Sequence, residues 1–186
     1  MSGYNLIDYE GKVPKVHDTA FVAPGCQIIG DVEIGERASV WFNCVIRGDV
    51  NRIRIGARTN IQDGTVIHCD ADFDGSGGYP TIIGDDVLVG HMVMLHGCTI
   101  EDRGFVGLGA VVMNGCVIKS DGMLAAGALL TPGKRIPEGQ LWAGRPARFL
   151  RDLSLEERAA NQTGVGHYVE NGQRYKRALG SIISCD

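Results

Sequence analysis

The feature that most constrains the fold is a series of aliphatic residues spaced six apart. Ile or Val occupies positions 22, 28, 34, 40 and 46, and the step of six resumes at 55, 61 and 67. A third series begins at 83, 89 and 95 and, after one step of five, continues from 100 to 136. A period of six fits neither an amphipathic helix nor a meander of hairpins with irregular turns. It predicts a solenoid in which three hexads close a triangular turn of about 18 residues.

Glycine provides the bends that such a coil requires. It accounts for 27 of 186 residues, well above its usual share of about 7%, and follows an aliphatic residue of the series at 35, 56, 84, 90 and 107. Residues 1–150 are therefore expected to form an all-β parallel solenoid. Its aliphatic side chains should point inward and stack about 4.8 Å apart.

The C-terminal part of the chain has a different pattern. Residues 151–186 are expected to form a helical segment that packs on the solenoid. Ser154 and Glu157 form a capping box, and apolar residues follow at helical spacing. Gly164 and Gly166 lower the helix propensity, so two helical pieces or a kink are expected.

Charge and hydropathy argue against several classes of partner. The net charge is −4 and there is no run of five Lys or Arg residues, so nothing favours nucleic acid or an anionic membrane surface. No apolar stretch approaches the roughly 20 residues that span a bilayer, and the first residues lack the pattern of a signal peptide. We expect a cytoplasmic protein with no nucleic-acid or membrane partner.

The six cysteines are not arranged as a disulfide or CxxC framework. Cys26 and Cys44 are 18 residues apart, as are Cys98 and Cys116. This spacing predicts reduced, buried thiols stacked on neighbouring turns. Cys69 directly follows a histidine, and its role is open.

Three histidines lie close together inside the repeat region. His68 and His96 are 28 residues apart, and the acidic, glycine-rich segment 70–80 reads as an extruded loop of about ten residues between them. Without the loop, about 18 residues separate the two histidines, which is one turn of the solenoid. The two rings should therefore stack and share a metal ion. His91 is only five residues before His96 and should lie on a different face. If all three bind one ion, His91 comes from a neighbouring molecule, which favours cyclic three-fold symmetry.

Three neutral imidazoles would leave an ion such as Zn²⁺ one open position, where bound water loses a proton near pH 7. Asn60, Gln62 and Asp63 precede His68, and strand alternation would place Gln62 on the same side as His68. Gln62 could then orient the hydroxide or a substrate oxygen.

Arg47 and Asp49 form the other charged pair of the repeat region. An exposed ion pair of little energetic value and an intersubunit salt bridge are equally consistent with their sequence positions.

The sequence closely resembles the γ-class carbonic anhydrases of the hexapeptide-repeat superfamily. Besides the hexads, the resemblance rests on RGD at 47–49, RTNIQDG at 58–64, His68 and VGHMVMLHGC at 89–98. It implies a left-handed parallel β-helix, an exception to the right-handed crossover rule. It also implies a homotrimer with Zn²⁺, or Fe²⁺ or Co²⁺, at each interface, held by His68 and His96 of one subunit and His91 of the next. The implied activity is that of a lyase, the reversible hydration of CO₂ to bicarbonate by metal-bound hydroxide.

The same resemblance implies roles for other polar residues. Gln62 and Asn60 would be polar groups of the active site, and Asp63 would support it. Arg47 and Asp49 would be an interface pair. Tyr168 resembles a tyrosine near the site in some members and could contribute a hydroxyl, but a packing tyrosine on the helix is the alternative.

Two departures from the family pattern concern proton transfer. In the active branch a glutamate follows the RGD-like aspartate, where this chain has Val50. A second glutamate belongs to the loop whose counterpart offers only Asp70, Asp72 and Asp74. Poor export of protons would limit turnover even with an intact metal site.

Two other functions remain open on the sequence. One is a metal-dependent acyl-CoA thioesterase, because the same hydroxide could attack a thioester carbonyl. GRPAR at 144–148 resembles a segment that contacts CoA in hexapeptide acyltransferases, and its alternative role is to end the solenoid. The other is a catalytically weak, metal-stabilised trimer that serves as an assembly or bicarbonate-binding module.

Overall fold

Each hexad forms one short strand, and strands of successive turns pair in parallel along three faces. The computed structural model describes residues 3–73 and 75–180. The predicted all-β solenoid with a C-terminal helix is confirmed. Face 1 comprises β3 (Phe21–Val22), β5 (Ser39–Val40), β7 (Asn60–Ile61), β10 (Leu88–Val89), β13 (Phe105–Val106), β16 (Met123–Leu124) and β19 (Gln140–Gly144).

The other two faces share the long strands β4 (Gln27–Ile34) and β6 (Val45–Ile55), which continue around a corner. Face 2 consists of the first parts of β4 and β6 together with β1 (Asn5–Ile7), β8 (Val66–His68), β11 (Met94–His96), β14 (Val111–Val112) and β17 (Leu129–Leu130). Face 3 consists of the last parts of β4 and β6 together with β2 (Lys15–Val16), β9 (Thr81–Ile83), β12 (Thr99–Ile100), β15 (Val117–Ile118) and β18 (Arg135–Ile136). An antiparallel strand, β20 (Ala147–Asp152), pairs with β19 and ends the solenoid.

The core is built from columns of the inward aliphatic residues. One column, completely buried, runs through Ile28, Ile46, Ile67, Leu95, Val112 and Leu130. Burial of such a side chain contributes about 1.5–3 kcal/mol each, so the hexad period is also the period of the main stabilising interaction. Five of the cysteines are buried and free, and the two pairs spaced by 18 lie on neighbouring turns as predicted. Cys185 lies outside the described residues.

Two insertions interrupt the regular coil, and both lie beside the same edge. Gly30 pairs with Gly48 but Val32 pairs with Ile53, so β6 carries three extra residues at its corner. The second insertion, segment 70–80, leaves the coil after β8 and returns at β9, and a bridge between Asp70 and Tyr79 closes its neck.

The C-terminal helix α1 (Leu155–Gly180) is continuous, so the expectation of two helical pieces was wrong, while the alternative of a kink stays a prediction. The predicted capping box is confirmed, since the Glu157 amide donates to Ser154 Oγ and the Ser154 amide to the Glu157 carboxylate. Packing on face 1 outweighs the low propensity of the glycines. Val165 and Val169 are buried against Leu88.

Among the described residues, no helix has the length and apolar character to cross a membrane. The hairpin β19–β20 extends to Asp152 and the helix begins at Leu155. The division into a solenoid over 1–150 and a helical segment over 151–186 stays a prediction.

Candidate functional site

His68 and His96 form a pair at the ends of two adjacent strands. They are direct register partners on β8 and β11, as the loop-corrected spacing predicted. His68 Nδ1 lies 3.1 Å from His96 Nε2, and the two ring centroids are 5.0 Å apart. Both side chains are partly buried at the edge between face 2 and face 3. We call this position the pair edge, defined by His68, His96 and Asp49.

Asp49 determines which nitrogen of His68 carries the proton. Its Oδ1 lies 2.9 Å from His68 Nε2. Because an ionised carboxylate can only accept, Nε2 donates and Nδ1 keeps its lone pair toward His96. Burial acts to raise the pKa of Asp49, but hydrogen bonds from His68 and Arg47 outweigh it and hold that pKa below its usual value. The Asp49 carboxylate is therefore ionised at neutral pH.

His96 has the complementary arrangement. Its Nδ1 lies 2.5 Å from Asn114 Oδ1. An amide oxygen only accepts, so Nδ1 carries the proton and Nε2 turns its lone pair toward His68.

The pair edge therefore brings two lone pairs face to face. While both rings are neutral and carry their protons on the outer nitrogens, neither inner nitrogen can donate to the other across 3.1 Å. A cation between them removes the conflict, and neutral imidazole nitrogens are ligands that Zn²⁺ and related ions prefer. The donor set fits a divalent metal ion on the evidence of this geometry.

His91 lies at the opposite edge of face 2, in the bend between β10 and β11. Its Nδ1 is 2.8 Å from Asp63 Oδ2, so Nδ1 donates and Nε2 is left as an acceptor. We call this the His91 edge, defined by His91 and Asp63. Within residues 3–73 and 75–180, no three His, Cys, Asp or Glu side chains converge to hold a metal.

A glycine bend makes the His91 edge possible. Gly64 has a φ of +69°, and a Cβ there would lie 2.5 Å from Met92 Sδ. The Met92 amide donates to the Asp63 carbonyl, which joins the two turns. The positive φ favours glycine at this bend, which holds Asp63 beside His91.

Gln62 and Asn60 lie on the face 1 side of this bend. The expected alternation with His68 was wrong, because β7 ends at Ile61 and a turn at 63–64 separates Gln62 from the strand that carries His68. Gln62 Nε2 donates to Asn60 Oδ1 over 3.1 Å, and both side chains are buried. Asn60 Nδ2 is buried and has no hydrogen-bond partner among the described residues.

Tyr168 packs on the solenoid from the helix. Its ring meets Trp41 edge-on with centroids 5.5 Å apart. Partial burial raises the pKa of Tyr168, and the negative charge of Asp63 raises it further, so the hydroxyl keeps its proton at neutral pH. The Tyr168 ring thus packs against Trp41, and the charge of Asp63 at the His91 edge acts on its hydroxyl.

Arg47 and Asp49 contact each other within one chain, through Arg47 Nη1 and Asp49 Oδ2. An intersubunit role for the pair stays a prediction. Cys69 is buried, and burial raises the pKa of its thiol, which makes it a poor nucleophile.

A cleft of about 650 Å³ opens beside the pair edge. It is lined by Tyr79, His96, Met113, Asn114, Pro132 and Gly133. Sequence reasoning did not find Asn114. The β11–β14 register is offset by 17 residues, so Asn114 lies one position beyond the one that continues from His96, and the repeat period does not identify it.

Comparison with known proteins places the chain in a family. Residues 14–48 match the bacterial transferase hexapeptide model of six repeats. The chain is 40% identical to a carbonic anhydrase of Geobacillus kaustophilus over 97% of its own length and 96% of that protein. It is 46% identical to the mitochondrial gamma carbonic anhydrase 1 of Arabidopsis thaliana, over 91% of its own length but only 62% of the length of that relative. It therefore belongs to the γ-carbonic anhydrase family of hexapeptide-repeat proteins, whose named members are lyases.

Solved structures agree on the fold. A Bacillus cereus protein, provisionally named an acetyltransferase, superposes with a TM-score of 0.90 at 41% identity, over 95% of this chain and 99% of that one. A hexapeptide transferase family protein from Anaplasma phagocytophilum gives 0.85 at 46% identity, over 91% and 97%. Carbonic anhydrase and transferase names thus both occur among similar chains.

Proposed function

We propose that this chain forms a homotrimer that converts CO₂ and bicarbonate reversibly, at a divalent metal held by His68 and His96 of one subunit and His91 of the next. The observation that carries this proposal is the face-to-face lone pairs of His68 and His96. In each of the three rings, one nitrogen donates a hydrogen bond to an acceptor of the same chain and the other is left for a metal ion, as expected for metal-ligating histidines.

The separation of the two edges supports a shared site. Since His91 lies one strand length from the pair edge, a second copy must supply it if three imidazoles bind one ion. The face between the edges also carries an outward apolar column suited to a contact with that copy. It consists of Val45, Val66, Met94, Val111 and Leu129.

Zn²⁺ is the metal we favour, with Fe²⁺ or Co²⁺ as alternatives. An ion held by the three imidazoles would supply Lewis-acid chemistry and would lower the pKa of bound water to about 7. The residues of this chain would hold the ion, orient the substrate and handle the released proton.

Gln62, Asn60 and Tyr168 are the groups we assign to orientation. The Gln62 amide is held in one orientation by its bond to Asn60, whose side chain is buried beside it. The raised pKa of Tyr168 keeps its hydroxyl available as a donor. Arg47 and Asp49 would align the interface.

The test is stopped-flow CO₂ hydration on protein purified anaerobically, with metal content and molar mass determined on the same sample. We expect activity in proportion to bound metal, and loss of both metal and activity in His91→Ala. His17→Ala, which removes an exposed histidine, is the matched control. A fully metallated trimer without activity at any pH would refute the proposed reaction.

Mixed trimers test the shared site directly. His91→Ala subunits keep an intact pair edge, and His96→Ala subunits keep an intact His91 edge. When the two inactive variants are unfolded, mixed and refolded together, roughly a quarter of the interfaces should combine the intact edges. Activity should return in that proportion, and none would return if the site lay within one chain.

The cleft supports a second candidate, hydrolysis of acyl-CoA thioesters. Its volume of about 650 Å³ exceeds what CO₂ needs and falls in the usual range for larger ligands. Release of free thiol from a panel of acyl-CoAs would support this activity, and no release across the panel would exclude it. If neither reaction occurs, the remaining candidate is a metal-stabilised trimer for assembly or bicarbonate binding. A cytoplasmic location stays a prediction.

A further inference from the structure

Behind the pair edge, three side chains from distant parts of the sequence form a hydrogen-bonded chain. Asp70 Oδ2 accepts from Asn114 Nδ2 over 2.6 Å, and Asn114 Oδ1 accepts from His96 Nδ1 over 2.5 Å. Asp70 and Asn114 are 44 residues apart and meet only because the extruded loop begins next to the pair edge. Neither residue belongs to the ligand set or to the groups that face the substrate.

The chain has only one consistent direction. A carboxylate cannot donate, so the Asn114 amide must turn its NH₂ group toward Asp70 and its oxygen toward His96. The oxygen in turn cannot donate, so His96 must carry its proton on Nδ1. The charge of Asp70 thereby determines that Nε2 of His96 has the free lone pair.

Asp70 is held rigidly enough to act in this way. Its backbone exchanges two hydrogen bonds with Tyr79 at the neck of the loop, and its carbonyl also accepts from Asn51 Nδ2 over 3.0 Å. Its second carboxylate oxygen accepts from the Ala71 amide over 3.1 Å. The neck therefore presents Oδ2 to Asn114 in a single orientation.

We infer that Asp70 and Asn114 are positioning residues that fix the tautomer of His96 and so prepare Nε2 to bind the metal. This inference rests on the proposed function, because it takes His96 as a metal ligand. The neck of the extruded loop would then serve to orient His96. Outer partners of ligating histidines typically change metal affinity 10- to 100-fold when removed.

The tautomer of His96 can be measured without any metal. In chelator-treated protein labelled with ¹⁵N-histidine, long-range ¹H–¹⁵N spectra should report Nδ1–H for His96. Asp70→Asn keeps the volume but lets the Asn114 amide rotate, and Asn114→Ala removes the acceptor. Both variants should show mixed or Nε2–H tautomers, whereas Asp72→Asn, at an exposed position of the same loop, should match the parent protein.

Metal affinity provides the second measurement. Competition with a chromophoric chelator should give Zn²⁺ affinities about 10-fold lower for Asp70→Asn and 10- to 100-fold lower for Asn114→Ala. An unchanged His96 tautomer in Asp70→Asn would overturn the inference, and that variant decides if Asn114→Ala does not fold. If the parent protein binds no metal, the proposed function fails, while the tautomer spectra still decide the role of Asp70.

Discussion

At the scale of single residues, the free nitrogen of each candidate ligand is determined by a different neighbour. Asp49 accepts a hydrogen bond from His68, Asp63 accepts one from His91, and the Asn114 oxygen accepts one from His96. These partners are acceptors, so each ring, at a strand end or in a bend, donates from one nitrogen and turns the other away from its partner. Neutral imidazole is the form that binds a metal ion.

Val50 provides a prediction about proton export at this scale. It directly follows Asp49 and is 45% exposed, so a longer polar side chain fits without disturbing the core. Val50→Glu should raise kcat for CO₂ hydration about 10-fold at low buffer concentration, less than a fully positioned proton-transfer group provides. Metal content should stay unchanged.

Stopped-flow traces at several buffer concentrations would measure this effect. Val50→Gln is the control without a titratable group. In concentrated buffer the parent protein and Val50→Glu should converge, because buffer then carries the proton. A kcat of Val50→Glu that never exceeds that of Val50→Gln would contradict the prediction.

At the scale of elements, the helix depends on packing along face 1 more than on its own propensity. Arg37 pairs with Glu170, and Gln173 and Lys176 donate to carbonyl groups near β3. These contacts, together with buried valines, hold a helix whose sequence includes several glycines.

Two glycine substitutions separate propensity from packing. A Cβ at Gly166 meets nothing within 4 Å, so Gly166→Ala should stabilise the protein by about 0.5–1 kcal/mol. A Cβ at Gly172 would lie 3.2 Å from that of Ser39, so Gly172→Ala should gain less or destabilise. Denaturant unfolding of both variants would measure the difference, and equal effects would contradict the assigned packing.

The start of the helix provides a pH prediction. The Arg151 guanidinium and the Ser154 amide lower the pKa of Glu157 to about 2. A depressed pKa stabilises the folded state above the ordinary value near 4.3, and that contribution disappears as pH falls through about 2. Glu157→Gln should therefore lower the thermal midpoint at pH 6 and have little effect near pH 2. Melting curves across this range would test it, and a difference independent of pH would refute it.

At the scale of the whole molecule, the proposal places every catalytic site between two subunits. The apolar column of face 2 runs between the edges that must meet, so its surface and the metal would stabilise the same contact. Assembly and metal loading should therefore be coupled.

A charge in the apolar column tests that coupling. Met94 points outward from β11 and is 38% exposed in the single chain. Met94→Lys should dissociate the trimer and reduce metal binding at least about 10-fold, while far-UV circular dichroism stays native. Leu150→Lys, at an exposed position on β20, is the control and should remain trimeric. A trimeric, fully metallated Met94→Lys protein would exclude this face from the interface.

Much of this architecture followed from local periodicity. The six-residue step identified the solenoid, and the spacing of His68 and His96 identified their stacking, because a coil of fixed turn length converts sequence separation into position. The alternation assigned to Gln62 and His68 failed because a bend at 63–64 interrupts the strand.

The sequence by itself determined the solenoid, the capped helix and the stacked histidine pair, since each depends on contacts that recur at short, fixed spacing. Only the tertiary structure decided the continuity of the helix and the chain from Asp70 through Asn114 to His96. Packing on face 1 overrides glycine propensity, and the neck of a loop brings together residues that no period relates. The tautomers of the candidate ligands are likewise determined by partners that only the folded chain provides.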